Sequence, residues 1–413
     1  MAIGGIAMIR SRLLMSLCIT LAYLSSNVAY AQKFPDLAKT PAMGWNSWNK
    51  FACDINEQLI RETADAMVNT GMKDAGYEYL NIDDCWHGER DANGNIQPDS
   101  KRFPSGIKAL ADYVHSKGLK LGIYSDAGNK TCGGYPGGRG HEYQDALTYA
   151  SWGIDYLKYD WCNTKGINPE SAYTTMRDAL YAAGRPILFS ICEWGDNKPT
   201  EWAPAVGHSW RTTGDIYPCW DCELGHGNWS NWGVLKILDK QAGLRRFAGP
   251  GHWNDMDMLE VGNGLTASED RAHFSLWAMM NSPLIMGNDV RTMPESVRKV
   301  LSNKDVIALS QDPLGIQALR YIGGTKVEIY IKPLINNEWA ILVLNRGDEA
   351  TQYEFKWASN AMEDEPNKLK TNFTKTVYDW IDVWSKAIGS TAKDFKQVIP
   401  AHDVVVLRLK PRS

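Results

Sequence analysis

The 413-residue sequence has no long basic run, little net charge and few histidines. Its formal charge of -4 balances 44 Lys and Arg against 48 Asp and Glu, so neither nucleic acid nor an anionic membrane surface is an expected partner. The eight histidines are scattered, which argues against an imidazole-rich zinc centre. No Gly-x-Ser-x-Gly elbow is present, which argues against serine hydrolysis. No glycine fingerprint follows the first apolar strand, so a dinucleotide cofactor is not expected. Beyond residue 31 no stretch is apolar and long enough to cross a membrane as a helix. Internal repeats and low-complexity tracts are missing as well.

Phenylalanine is scarce too, at 9 residues, whereas Trp and Tyr number 17 and 18. These two offer a flat apolar face with a polar handle, which suits a cleft that holds sugar rings. The N-terminus reads as an export signal: Arg10 and Arg12, an apolar run from Leu13 to Leu24, then Ala29-Tyr30-Ala31 before Gln32. A secretory signal over residues 1–31 predicts a soluble, exported product. Seven cysteines remain after Cys18 leaves with the signal, an odd count that keeps at least one thiol unpaired within the chain. Cys219-Trp-Asp-Cys222 lacks a second pair, and reads as a local loop disulfide rather than a zinc or redox motif.

From Thr40 to about Pro313 one theme recurs, a short apolar strand followed by an amphipathic helix. The strands read as Ala42–Trp45, Tyr77–Asp83, Lys120–Ser125, Ile154–Asp160, Ile187–Cys192, Ser209–Thr213, His252–Asp257 and Pro283–Gly287. Helical patterns cover Gln58–Asn69, Ile107–Lys117, Glu142–Trp152, Glu170–Ala183, Trp232–Phe247 and Thr266–Met280. Eight strands alternating with helices predict a (β/α)8 TIM barrel over residues 32–313. After Pro313 the runs Val327–Ile331, Glu338–Leu344, Thr351–Trp357, Thr376–Trp380 and Asp403–Leu409 are β-rich, with little helix. Residues 314–413 therefore predict an antiparallel β-sandwich domain, with Ala358–Leu369 as an exposed loop.

Almost every barrel strand ends in a carboxylate: Asp83-Asp84, Asp126, Asp160, Glu193, Asp215 and Asp255 through Asp257. In a barrel those ends form the C-terminal rim, where active sites sit. The strand Ile154–Asp160 stands out, because Lys158 and Asp160 share one face of it. Two ionisable groups on a core strand are costly unless paired or used. A simple Lys–Asp pair is the bland reading. Acids from six strands, a Lys, an Arg and abundant aromatics fit glycoside cleavage better, which needs two carboxyl groups with distinct roles. A metal at His252, Asp255 and Asp257 is the rival, disfavoured by the scarcity of imidazole. No metal or other cofactor is expected.

The motifs Met43-Gly-Trp-Asn-Ser-Trp48, Tyr79-Leu-Asn-Ile-Asp83-Asp84-Cys-Trp86, Gly122-Ile-Tyr124-Ser-Asp126, Tyr156-Leu-Lys158-Tyr-Asp160, Cys192-Glu193-Trp194, Trp210-Arg211 with Asp215, and Trp253-Asn-Asp255-Met-Asp257 resemble glycoside hydrolase family 27. The closest likeness is to its α-galactosidases of plant type, over the whole chain after the signal. The resemblance implies a retaining exo-hydrolase of terminal α-galactosides, with Asp160 as nucleophile and Asp215 as acid/base. It implies substrate binding by Trp48, Asp83, Asp84, Tyr124, Lys158, Glu193, Arg211 and Asp257. It also implies the disulfides Cys53–Cys85 and Cys132–Cys162, leaving Cys192 free and Cys219–Cys222 as a local pair. On that reading Lys158 keeps Asp160 ionised, the surroundings of Asp215 favour its protonated form, and Glu193 fills the space beside the sugar's 2-hydroxyl. β-L-arabinopyranosidase and α-N-acetylgalactosaminidase activity are the alternatives within the family. A secreted sugar-binding protein without catalysis is the alternative outside it, disfavoured because both Asp160 and Asp215 are present. Asn129, Asn228 and Asn372 each stand in an N-x-S/T sequence.

Overall fold

The computed structural model describes residues 33–227, 229–324 and 326–412. The signal, Cys18 and Asn228 lie outside the described residues.

Eight parallel strands build the first half: β1 (Met43–Asn46), β2 (Tyr79–Asn81), β3 (Lys120–Asp126), β4 (Tyr156–Asp160), β5 (Leu188–Cys192), β6 (Ser209–Arg211), β7 (Trp253–Asp255) and β8 (Leu284–Met286). Their order is β7-β6-β5-β4-β3-β2-β1-β8, which is chain order with β8 paired to β1. The remaining seam, between β7 and β8, closes just past the strands. There Leu259 N–H donates to the Ile285 carbonyl at 2.7 Å, and the Leu259 carbonyl accepts from Gly287 N–H at 3.0 Å. The barrel interior is packed with Tyr79, Tyr156, Leu188, Met258 and Ile285, so it is a core and not a pore.

Helices cover the outside: α1 (Glu57–Asn69), α2 (Gly106–Ser116), α3 (Glu142–Trp152), α4 (Pro169–Ala182), α5 (Pro199–Val206), α6 (Val234–Lys240), α7 (Ala267–Met279), α8 (Glu295–Leu301) and α9 (Lys304–Ser310). Local chemistry sets their ends. Asn56 caps α1 through Leu59 N–H, and Asn168 caps α4 ahead of Pro169. Thr266 and Glu269 form a reciprocal capping box on α7. The expected helix over Trp232–Phe247 is broken: Ser230–Trp232 is a strand, α6 ends at Lys240, and Gly243 takes φ 82 before a short 3-10 turn at Arg245–Phe247.

The second half is a six-stranded antiparallel sheet of β9 (Leu319–Ile322), β10 (Val327–Pro333), β11 (Trp339–Asn345), β15 (Tyr378–Asp382), β16 (Ile388–Ser390) and β18 (Val404–Pro411). Over it lie two ribbons, β12 (Thr351–Phe355) with β17 (Phe395–Ile399) and β13 (Ala361–Asp364) with β14 (Leu369–Asn372). The expected exposed loop at Ala358–Leu369 is thus largely a hairpin. Met362 and Asp364 alternate inward and are buried, and Asp364 pairs with Arg245 of the barrel half.

The central strands are buried on both faces. Tyr330, Leu342, Leu344 and Val406 join the core shared with the barrel helices, while Ile329, Ile341, Val343 and Leu407 join the core under the ribbons. Helix α7 lies between the barrel and this sheet, which is why it carries apolar residues all round rather than on one stripe. The one buried lysine of β10, Lys332, donates to the carbonyls of Leu309 at 2.5 Å and Ala278 at 3.2 Å and to the Asn281 side chain. Burial pushes its pKa down to about 7.

Candidate active site

Every carboxylate singled out in the barrel strands arrives at the same rim, because parallel strands share one C-terminal end. Asp126, Asp160 and Cys192 are direct neighbours in register on β3, β4 and β5. Asp160 is buried, and Trp161 N–H donates to its Oδ1 at 2.9 Å. Among the described residues, its Oδ2 takes no hydrogen bond. Burial is the largest influence on Asp160, Lys158 opposes it, and Asp215 adds to it, so its pKa rises to about 6. Lys158 therefore restrains the shift and does not abolish it.

The lysine's own contact is elsewhere. Lys158 Nζ donates to Asp83 Oδ2 at 2.8 Å, and Asn46 Nδ2 donates to the same oxygen at 2.7 Å. Burial works against the Lys158 charge, but Asp83, Cys192, Asp160 and Asp215 together hold it above its ordinary range. Lys158 also lies 5.3 Å over the Tyr124 ring. Asp84 is fixed by Cys85 N–H at 2.7 Å and Gly133 N–H at 2.7 Å, and burial raises its pKa. Trp48 stands half-buried on the single turn Trp48–Phe51, its N–H held by Asn46 Oδ1 at 2.8 Å. Asn49 of that turn donates to buried Glu260 at 2.6 Å, and Asn263 donates to the other Glu260 oxygen at 2.5 Å. This clasp ties the Trp48 turn to the loop beside the β7–β8 seam.

Arg211 is the hub of the opposite side. Its Nη2 lies 2.8 Å from Asp257 Oδ2 and 3.1 Å from Asp215 Oδ1, and it donates to the Gly214 carbonyl at 2.8 Å. Burial would lower the Arg211 pKa, but Asp257 and the surrounding anions raise it instead. Asp257 also accepts from Ile216 N–H at 2.8 Å, and burial lifts its pKa despite Arg211. The Asp215 side chain is 39% exposed, and its neighbour is this guanidinium.

Glu193 departs from the expected position. It is fully buried, and both of its oxygens are used by its own loop: Oε1 accepts from Gly195 N–H at 3.1 Å, Oε2 from Asn197 N–H at 2.7 Å and Asn197 Nδ2 at 2.8 Å. Its carboxyl holds the 194–197 turn, in which Trp194 takes φ 59. Burial raises the Glu193 pKa to about 7 against those hydrogen bonds.

Non-glycine residues with left-handed backbone recur at these exits: Cys85, Asn163, Trp194 and Asp257. Such conformations cost about 1–3 kcal/mol each and cluster where side chains must be aimed. The bridges Cys53–Cys85, Cys132–Cys162 and Cys219–Cys222 are formed, and Cys192 is free and buried. His252, Asp255 and Asp257 are not drawn together as ligands. His252 stacks toward Trp210, while Asp255 and Asp257 lie near Arg211. Among the described residues the one group with metal-ligand spacing is Asp126, Cys132 and Cys162, whose thiols are spent in the disulfide.

Sequence reasoning missed Glu260, which lies past its strand in a loop with no motif. It missed the part of Asp126 as well. Asp126 accepts from Gly128 N–H at 2.6 Å and Cys162 N–H at 2.8 Å, and burial with Asp160 beside it drives its pKa to about 9.

Two family models match the chain, "Alpha galactosidase A" over residues 40–312 and "Alpha galactosidase C-terminal beta sandwich domain" over 324–409. Alpha-galactosidase A of Cellvibrio japonicus is 65% identical over 403 residues, covering 98% of this chain and 100% of that one. An alpha-galactosidase of Cyamopsis tetragonoloba is 46% identical over 381 residues, 91% of this chain and 88% of that one. The Saccharomyces cerevisiae enzyme solved with raffinose superposes with a TM-score of 0.85 at 32% identity, covering 92% of this chain and 99% of that one.

Proposed function

This chain belongs to the alpha galactosidase A family, glycoside hydrolase family 27, and from that premise we propose how its rim cleaves an α-galactoside. It is an α-galactosidase. The family's β-L-arabinopyranosidases and α-N-acetylgalactosaminidases are more distant relatives. In the proposed reaction Asp160 attacks the anomeric carbon while Asp215 protonates the leaving oxygen, giving a galactosyl-enzyme. Asp215 then takes a proton from water, which displaces Asp160 and leaves the product in the α configuration.

The observation that carries this is the pair itself. Asp160 presents one oxygen held by a backbone N–H and one free, and it senses the charge of Asp215. Arg211 restrains Asp215, and Asp257 shares that guanidinium. Asp83, braced by Lys158 and Asn46, together with Asp84, Tyr124 and Trp48, forms the rest of the galactose site in this reading. Glu193 supports it indirectly, through its loop. No cofactor enters these steps. Export after residue 31 and a domain boundary near residue 313 belong to the same reading, and the three disulfides suit an oxidising compartment. The test is the stereochemistry of hydrolysis followed by NMR on an aryl α-galactoside. The α anomer must appear first, and initial β-galactose would overturn the assignment.

A further inference from the structure

The turn that carries Trp48 has little of its own to hold it. It spans only Trp48–Phe51, none of its residues is fully buried, and Ser47 at its N-cap makes no side-chain cap. A helix that short forms only where something outside fastens it. Beside the indole the fastening is Asn49, whose Nδ2 donates to Glu260 Oε1 at 2.6 Å. Gly287 makes room for this residue, since a Cβ there would meet Asn49 Cβ and the Leu259 carbonyl, each at 3.1 Å.

Glu260 is itself held rigidly. Its backbone N–H donates to His273 Nε2 on α7 at 2.9 Å, and its carbonyl accepts from Asn263 N–H at 3.0 Å. Its second carboxyl oxygen accepts from Asn263 Nδ2 at 2.5 Å, and that amide also reaches the Gly287 carbonyl at 3.1 Å. The residue is 2% exposed, and among the described residues no cation bonds its carboxyl. Burial pushes its pKa up to about 7 against both amides. A buried carboxyl group without a cation is costly, and an apolar residue would fill the same space at less cost. What the two oxygens provide is a bridge between two donors.

The bridge joins two walls of the site. Asn49 belongs to the exit of β1, while Glu260 lies on the exit of β7, just past Asp257. We infer that Glu260 is a positioning residue for the sugar site: through Asn49 it sets the Trp48 indole against the wall that carries Asp257. It acts on galactose through Trp48 and leaves Asp160 and Asp215 where they are. This rests on Trp48 holding galactose, as proposed above.

The experiment measures inhibition by galactose, which reads the pocket without chemistry, beside kcat and KM on an aryl α-galactoside. Glu260→Ala should raise the galactose Ki and the KM about ten-fold each, the scale of one aromatic contact, with kcat within about two-fold of wild type. Asn49→Ala cuts the same bridge from its other end and should do the same. The double variant should be no worse than the more severe single, because one link is lost only once. Glu260→Gln should keep Ki near wild type, since its amide can donate to the Asn49 side-chain oxygen with the bond reversed. A Gln variant as impaired as Ala would overturn the bridge as the cause. Trp48→Ala is the reference. If it raises Ki while Glu260→Ala and Asn49→Ala do not, or if these two lower kcat as far as they raise Ki, the positioning role is overturned. If Trp48→Ala leaves Ki unchanged, the fault lies in the proposed sugar site, and the role of Glu260 falls with it.

Discussion

Lys158 donates to Asp83 across 2.8 Å, although Asp160 stands two residues further along the same strand. The cation braces a residue of the sugar site directly and reaches the nucleophile only through its field. Lys158→Met should therefore act twice. Leaving Asp83 buried without its cation should lower stability by about 3 kcal/mol, read by chemical denaturation. Removing the positive field should raise the Asp160 pKa further, moving the acid limb of kcat/KM to higher pH. A limb that stays in place would mean Lys158 does not act on the nucleophile.

The wild-type limb is itself a prediction. Asp160 must be ionised to attack, and burial raises its pKa to about 6. Below that value the protonated form accumulates and the rate falls. Hence kcat/KM, which reports the free enzyme, should decline below about pH 6 rather than near the ordinary carboxylate value. A pH series on an aryl α-galactoside checks this.

The two carboxylates should fail differently. Asp160→Asn should abolish turnover on every substrate. Asp215→Asn should retain the first step on substrates whose leaving group needs no proton, visible as a pre-steady-state burst with an activated phenol. A mechanism-based fluorosugar should label Asp160, and peptide mapping that found the label on Asp215 would reverse the roles.

Glu193→Ser should loosen the enzyme before it broadens it. Three hydrogen bonds to the partly exposed 194–197 turn disappear, and its donors lose their partner. The cost should be about 2–4 kcal/mol, seen as a lower thermal midpoint together with reduced kcat/KM on galactosides. Unaltered stability with new activity on α-N-acetylgalactosaminides would instead favour direct contact with the sugar.

What the sequence made legible follows from two periodicities. Alternation along Ile154–Asp160 and the other buried runs placed the strands, and parallel strands then had to carry Asp83, Asp160 and Asp257 to one rim. What stayed hidden was direction. Nothing in Cys192-Glu193-Trp194 announces that Trp194 takes a left-handed backbone or that the glutamate bonds its own loop. The partner of Lys158 depended on how close neighbouring strands bring Asp83, and spacing along one strand does not encode that. Ala358–Leu369 looked polar enough for a loop because its inward residues are few, and one of them, Asp364, is a charge matched by distant Arg245. Glu260 was invisible for the same reason, since its meaning lies in Asn49, far away in the chain.

Lys332 joins the two halves of the molecule more firmly than a linker would. It hangs from the sheet, yet its three acceptors, Ala278, Asn281 and Leu309, all belong to the helical half. Helix α7 is apolar on the side that the sheet covers. As units of inheritance, then, barrel and sheet are not exchangeable modules. A chimera carrying a foreign sheet would strand three polar groups and bare an oily helix, so the two halves must drift together, each substitution at this seam answered by one across it.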